Sequence, residues 1–284
     1  MKKSTLNLLA ASVLAASSAQ ALVIDATTTD GDLLKDNILG AGITAGSATY
    51  IGDTNQSGFF SNGLASGIGI DSGIILTTGS AFDAPGPNNS DNTSVNTSSP
   101  GDADLNAIIG GNTYDSASLT FDFESTGGDL FFNFAFASEE YNEYIDSQFN
   151  DVFAFFVDGV NIAIAPDGQE VSINTVNCGQ TFSGVGPNCS SYNNNDPSNG
   201  GPNFNLAYDG FTDVFTASIL GLSAGSHTMK FAIADAGDSS LDSAVFIQGG
   251  TFSDNPTPTV PEPGSLALLG LGLIGLRLSR KKAA

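Results

Sequence analysis

The chain has 284 residues, with 30 Asp and Glu against 8 Lys and Arg, for a formal net charge of −22. That charge excludes nucleic acid and anionic lipid as partners of the folded surface, and a single histidine with two cysteines excludes a zinc-type site. The 20 phenylalanines and the patterned aliphatics exclude a disordered chain, and the abundance of Gly, Asn, Ser and Thr fits a loop-rich extracellular β domain.

At the N-terminus Lys2 and Lys3 precede an apolar run from Leu6 to Ala16, and small residues lead to Ala19-Gln20-Ala21. This is the layout of a secretory signal peptide over 1–21, with Ala19 and Ala21 forming the A-x-A cleavage site. The run is too short to span a bilayer. A single domain over 22–254 is expected to follow. Its only basic residues are Lys35 and Lys230, among more than two dozen carboxylates.

Within the domain, Val23–Ala26 reads as a strand and Asp32–Leu39 as a helix, with Asp30 or Asp32 near its start and Gly40 at its end. Strands are expected at Ile43–Ile51 and Gly73–Gly79. The segment 83–102 is Pro, Gly, Asn, Ser and Thr, a long exposed loop, and Asp102–Ile109 is a second short helix. Leu119, Phe121 and Phe123, then Leu130, Phe132, Phe134 and Phe136, alternate with their neighbours at the period of half-buried strands. Asp151–Val157 is apolar on both faces and reads as a central strand. Asp158-Gly159 turns the chain into Val160–Ala165. Glu170–Val176, Phe211–Leu220, His227–Ala234 and Ser243–Phe252 complete the strands. A second long loop, 177–203, holds Cys178 and Cys189, which in an exported chain are expected to pair as a disulfide. The fold class is mainly β: an antiparallel β-sandwich or jelly roll with one or two short helices and long loops.

A Pro/Thr linker over 255–263 ends in Pro261-Glu262-Pro263. A short glycine-rich apolar stretch and the basic residues Arg277, Arg280, Lys281 and Lys282 fill 264–284. This is the arrangement of a C-terminal membrane helix with its basic end on the cytoplasmic side. The three parts together resemble the PEP-CTERM sorting signal. The resemblance implies a Gram-negative-type bacterium, an inner-membrane-anchored intermediate, and cleavage near Pro261-Glu262-Pro263 by an exosortase. The product then reaches the cell surface or the extracellular matrix, commonly beside exopolysaccharide.

Three segments concentrate acid where apolar strands end: 136–153, 208–212 and 233–246. Carboxylates brought together in a dry site repel unless they protonate or share a cation. Ca²⁺ is the physical candidate, since it takes six to eight hard oxygen ligands in flexible geometry. The candidate ligands are Glu139, Glu140, Asp151, Asp235, Asp238 and Asp242. The alternative is that these acids cap turns or accept backbone N–H bonds.

The same segments, with Gly73–Gly79, Asp102-Ala103-Asp104-Leu105 and Asp115–Phe123, resemble the choice-of-anchor L domain. The strongest match is Phe136-Ala137-Ser138-Glu139-Glu140-Tyr141 with Phe149-Asn150-Asp151-Val152-Phe153. The resemblance implies an extracellular module displayed by whichever anchor follows it, and carries no activity with it. The expected function is a structural or adhesion module linked to exopolysaccharide or biofilm, with other surface proteins as further partners. The alternative is a Ca²⁺-dependent lectin-like module, with Tyr141, Tyr144, Tyr192 and Tyr208 stacking on sugars or packing inside. Catalysis is not expected. His227, the only histidine, reads as a surface strand residue, and a glycosidase would have to use Glu139, Glu140 or Asp151.

Overall fold

A computed structural model describes residues 21–257. The predicted signal peptide up to Gln20, the sorting motif and the C-terminal helix lie outside the described residues. Among the described residues no helix is long and apolar enough to cross a membrane.

In chain order the regular elements begin with β1 Val23–Thr27, α1 Gly31–Ile38, β2 Ile43–Ile51, β3 Ser57–Ser61, α2 Gly63–Ser66 and β4 Gly73–Thr77. Next come α3 Ala103–Ile109, β5 Thr113–Ser125, β6 Leu130–Ser138, β7 Val152–Val157 and β8 Val160–Asn161. The last are β9 Tyr192–Asn194, β10 Gly210–Thr212, β11 Phe215–Ile219, β12 His227–Ala236 and β13 Ser243–Gln248. They form two antiparallel sheets. The larger runs β1-β3-β4-β13-β6-β10-β9, with β11 also paired to β6; the smaller runs β2-β5-β12-β7-β8.

The alternation read from the sequence builds the space between the sheets. Phe121, Phe123, Phe132, Phe134, Phe153, Phe155 and Phe231 are all buried there, with Phe252 after β13. Their rings meet mainly edge to face, as in Phe132 with Phe155 at 4.7 Å and Phe134 with Phe153 at 5.1 Å between centroids, the arrangement that aromatic quadrupoles favour. The other face of the large sheet is covered by irregular chain: Ile68, Ile70, Ala84, Leu206 and Tyr208 pack on Phe60, Ile75, Ala135 and Phe246.

Several expectations need correction. The strand β7 is not central; it lies between β12 and the two-residue β8. Its second face is apolar because α3 covers it, with Leu105, Ile108 and Ile109 against Val152, Ala154 and Phe156. Glu170–Val176 is not a strand. The Thr175 hydroxyl accepts from the Ser172 amide at 2.9 Å and donates to the Glu170 carbonyl at 2.6 Å, a local turn that competes with any ladder. Phe211–Leu220 is two strands. Phe211 pairs with Ala137 and Phe215 with Phe134, so the outer chain carries one extra residue and bulges between them. His227 is buried rather than exposed, at 8 %. Its Nδ1 meets Asp158 Oδ2 at 2.6 Å and its Nε2 meets the Ser223 carbonyl at 2.9 Å. Tyr141, Tyr192 and Tyr208 are buried, and only Tyr144 of the four tyrosines is exposed. Cys178 and Cys189 form a disulfide.

Candidate metal centre

Strand register assembles the acids. Ser138 of β6 lies opposite Ser243 of β13 on one side and Gly210 of β10 on the other, and Gly210 lies opposite Asn194 of β9. Just beyond these positions are Asp242, Glu139 and Asp209, and two residues beyond Asn194 is Asp196. Adjacent strand ends therefore present a row of carboxylates along one rim of the large sheet. All four are buried, at 3, 1, 0 and 0 %. Backbone bonds hold the row together: the Glu139 amide donates to the Asp242 carbonyl at 3.0 Å, and the Asn195 amide to the Asp209 carbonyl at 2.8 Å.

Behind the rim, where the two sheets converge, stand Asp151 before β7 and Asp235 near the end of β12. Ser243 joins the sheets here, donating to Asp151 Oδ2 at 2.7 Å, and the Ala236 amide donates to Asp151 Oδ1 at 2.9 Å. The β12–β5 register slips between Ile233 and Asp235, opposite Asp115. Such a bulge re-aims side chains, and both Asp115 and Asp235 are buried. Glu140 faces this inner group, where Asp151 and Asp238 act on it electrostatically, while Glu139 faces the rim, where Asp209 acts on it.

The segment 83–102 is not simply an exposed loop. Its alternate backbone amides point into the acids: Thr93 to Glu139 Oε2 at 3.4 Å, Val95 to Asp242 Oδ1 at 3.0 Å and Thr97 to Asp115 Oδ2 at 3.1 Å. Asn88 adds its side-chain amide, to Asp209 Oδ1 at 2.6 Å. The reading of the acids as acceptors of N–H bonds therefore describes Asp115, Asp151 and Asp242. It does not describe Glu139 Oε1, Glu140 Oε2, Asp209 Oδ2 or either oxygen of Asp235, which are buried with no hydrogen-bond partner. Thr78 and Asp151 lie close to Asp235, but neither meets its oxygens in hydrogen-bonding geometry.

Burial pushes these carboxyls up: Glu139 and Glu140 to about 10, Asp209 to about 9, and Asp151 and Asp242 to about 7. Asp235 is raised well above its usual value, by burial first and the Asp151 charge second. Among the described residues no cationic side chain relieves them. Lys35 is committed to Asp32 and Asp36 beside α1, at 3.0 and 3.3 Å. Lys230 is committed to Asp102 and Asp104 at the start of α3, at 2.7 and 2.6 Å. His227 is held at Asp158. An unpaired buried carboxylate is costly, and free oxygens of this kind are the donors that a hard cation takes.

Of the six candidate ligands, Glu139 and Asp242 lie on the rim and Glu140, Asp151 and Asp235 in the inner group, and among the described residues no three of them bring carboxylate oxygens within 4.8 Å of one another. Asp238 is half-exposed, in a turn where its Oδ1 accepts from the Ser240 amide at 3.1 Å. Sequence reasoning missed Asp91, Asp196 and Asp209 as ligands. One carboxylate oxygen from each lies within 4.8 Å of the other two. The signal for Asp209 was its place before a strand. Asp196 caps a short helical turn within a segment read only as loop, its Oδ1 accepting from the amides of Ser198 and Asn199 at 2.6 and 3.1 Å.

Comparison with protein families matches residues 259–282 to the PEP-CTERM protein-sorting motif. That motif is a substrate signal for exosortase processing, and it marks an exported surface protein with a membrane-anchored intermediate. No curated protein and no solved structure matches the chain. Residues 17–253 match the Choice-of-anchor L domain, and over that span, most of its length, the chain belongs to the choice-of-anchor L domain family.

Proposed function

We propose that the exported domain is a non-catalytic structural and adhesion module of the cell surface or extracellular matrix, whose fold is completed by Ca²⁺ held among its buried carboxylates. The observation that carries this is the set of unpartnered oxygens on Glu139, Glu140, Asp209 and Asp235, in a domain whose few cationic side chains are all engaged elsewhere. Asp235, Glu140 and Asp151 are the inner ligands. Carboxylate and amide oxygens suit Ca²⁺, and extracellular modules bind it in a medium where it is plentiful. A matrix of exopolysaccharide or other surface proteins is the setting that the sorting signal favours. Burial of Glu139, Glu140 and Asp151, and the capture of His227 by Asp158 and a backbone carbonyl, support a non-catalytic reading.

The test is thermal unfolding of the exported protein in EGTA and in Ca²⁺. At about 100 times the dissociation constant, binding stabilises by about 2.7 kcal/mol. For a domain of this size that raises Tm by about 5–11 °C. An unchanged Tm contradicts the proposal, as does hydrolysis of a polysaccharide abolished by Glu139→Gln or Glu140→Gln.

One observation favours a Ca²⁺-dependent lectin as the second reading. A cleft of about 380 Å³ beside Gly237 is lined by Asn112, Gln148, Asn150 and Asn174, with Ile109 as an apolar wall. Neutral amides and one apolar wall suit a neutral sugar. A glycan array run with and without EGTA separates the readings: Ca²⁺-dependent binding selects the lectin, and no binding selects the structural module.

A further inference from the structure

We infer that Asp91, Asp196 and Asp209, with Glu139 beside them, form a second divalent-cation site that clamps both long loops to the rim of the large sheet. The inference rests on the proposed Ca²⁺ dependence, and its ligands are distinct from the inner ligands Asp235, Glu140 and Asp151.

Three independent parts of the chain meet at this point. Asp209 belongs to the sheet, immediately before β10. Asp196 comes from the loop 177–203 and Asp91 from the loop 83–102. Their ligand oxygens share a space 4.8 Å across, which suits a cation bridging them at the 2.3–2.6 Å of Ca²⁺–oxygen bonds. Acid alone would not make a site here. The further observation is that Asp209 is fully buried and its Oδ2 has no partner, and that Glu139, 1 % exposed and next to it along the rim, keeps Oε1 free as well.

The surrounding hydrogen bonds orient the ligands and leave Asp209 Oδ2 and Glu139 Oε1 free, whereas Asp196 accepts two on each oxygen, from the amides of Ser198 and Asn199 at Oδ1 and from the side chains of Asn142 and Asn199 at Oδ2. Asn88 takes only Oδ1 of Asp209. Asn142 donates to Asp196 Oδ2 at 3.0 Å, and Ser198 bonds Asp91 Oδ2, so the two loops already touch. The remaining oxygens of Asp91, Asp209 and Glu139 face a common charge problem that Lys and Arg do not solve. All ligand atoms are carboxylate oxygens, and two of them ride on irregular loops. This combination favours Ca²⁺, which accepts variable geometry, over Mg²⁺, which demands a near-ideal octahedron.

The experiment is calcium titration of chelator-treated exported protein by native mass spectrometry, comparing wild type with Asp91→Asn. Asp91 is only half-buried, so the variant preserves shape and removes one ligand charge. Terbium emission sensitised by Tyr192 is the second readout, since Asp196 and Asp209 lie near that ring and the chain has no tryptophan. Limited proteolysis reports on the loops.

The expected result is two bound ions in wild type and one in Asp91→Asn, with at least tenfold weaker terbium binding. Cleavage within 83–102 and 177–203 should then become faster. An unchanged ion count and terbium response in both Asp91→Asn and Asp196→Asn overturns the second site while leaving the inner one. No bound ion in wild type overturns both. Loss of an ion with no change in loop cleavage overturns the clamp.

Discussion

Asp235 shows most clearly what the acids do. Both of its oxygens lack partners, and its carboxyl is raised well above the usual range by burial and by Asp151. Asp235→Asn keeps the shape of that carboxyl and removes its capacity to ionise. The expected outcome is a Tm within about 2 °C of wild type in EGTA, with most of the Ca²⁺-induced rise gone, read by calorimetry; an ordinary structural carboxylate would lose stability in both conditions. The sign of the pH dependence follows from the same shifts. Glu139, Glu140 and Asp209 hold protons in the folded state up to about 9–10, whereas the unfolded chain releases them near 4. The folded state binds more protons between those values, so the metal-free domain loses stability as pH rises through that window. With Ca²⁺ present the trend reverses, because the cation binds the ionised forms. Denaturation at pH 5 and pH 8, with and without chelator, checks both signs.

At the scale of elements, the strap over the rim makes a prediction of its own. The amides of Thr93, Val95 and Thr97 donate to carboxylates, at every second residue. Hydrogen exchange should be at least about tenfold slower at these three than at Ser94 and Asn96, although no sheet pairs with the segment; uniform fast exchange contradicts the strap. Helix α3 is a separate test. Leu105 is fully buried on the outer face of β7, so Leu105→Ala should cost about 2–5 kcal/mol in chemical denaturation. Much of this architecture was legible in the sequence. Period-two phenylalanines announced β5 and β6, and Asp102 before an apolar helix announced α3. What stayed hidden depends on side chains replacing backbone partners. Thr175 turns the strand-like segment 170–176 into a local knot of bonds, and β9 is three residues inside an Asn-rich loop. The strap was invisible because its amides point at carboxylates 18, 46 and 147 residues away in sequence. Asp91 and Asp196 were missed for the same reason: a carboxylate in an irregular loop has no periodicity to betray its burial.

The whole molecule separates address from action. The family match covers 17–253 and the sorting motif 259–282, so the folded body and the processed tail adjoin with almost nothing between them. An intact mass of the exported protein should correspond to a chain ending near Pro261–Pro263, and a mass retaining the residues through Ala284 contradicts processing. The body carries 29 of the 30 Asp and Glu with only Lys35 and Lys230 against them, a net charge of −27 that the basic ends reduce to −22. That is a surface suited to a cation-rich exterior. The central claim is that the buried carboxyls exchange protons for Ca²⁺. Isothermal titration of the chelator-treated exported protein with Ca²⁺ at pH 7, in buffers of different ionisation enthalpy, measures this directly. The account predicts saturable binding with release of more than one proton per ion. No binding, or binding without proton release, would contradict it.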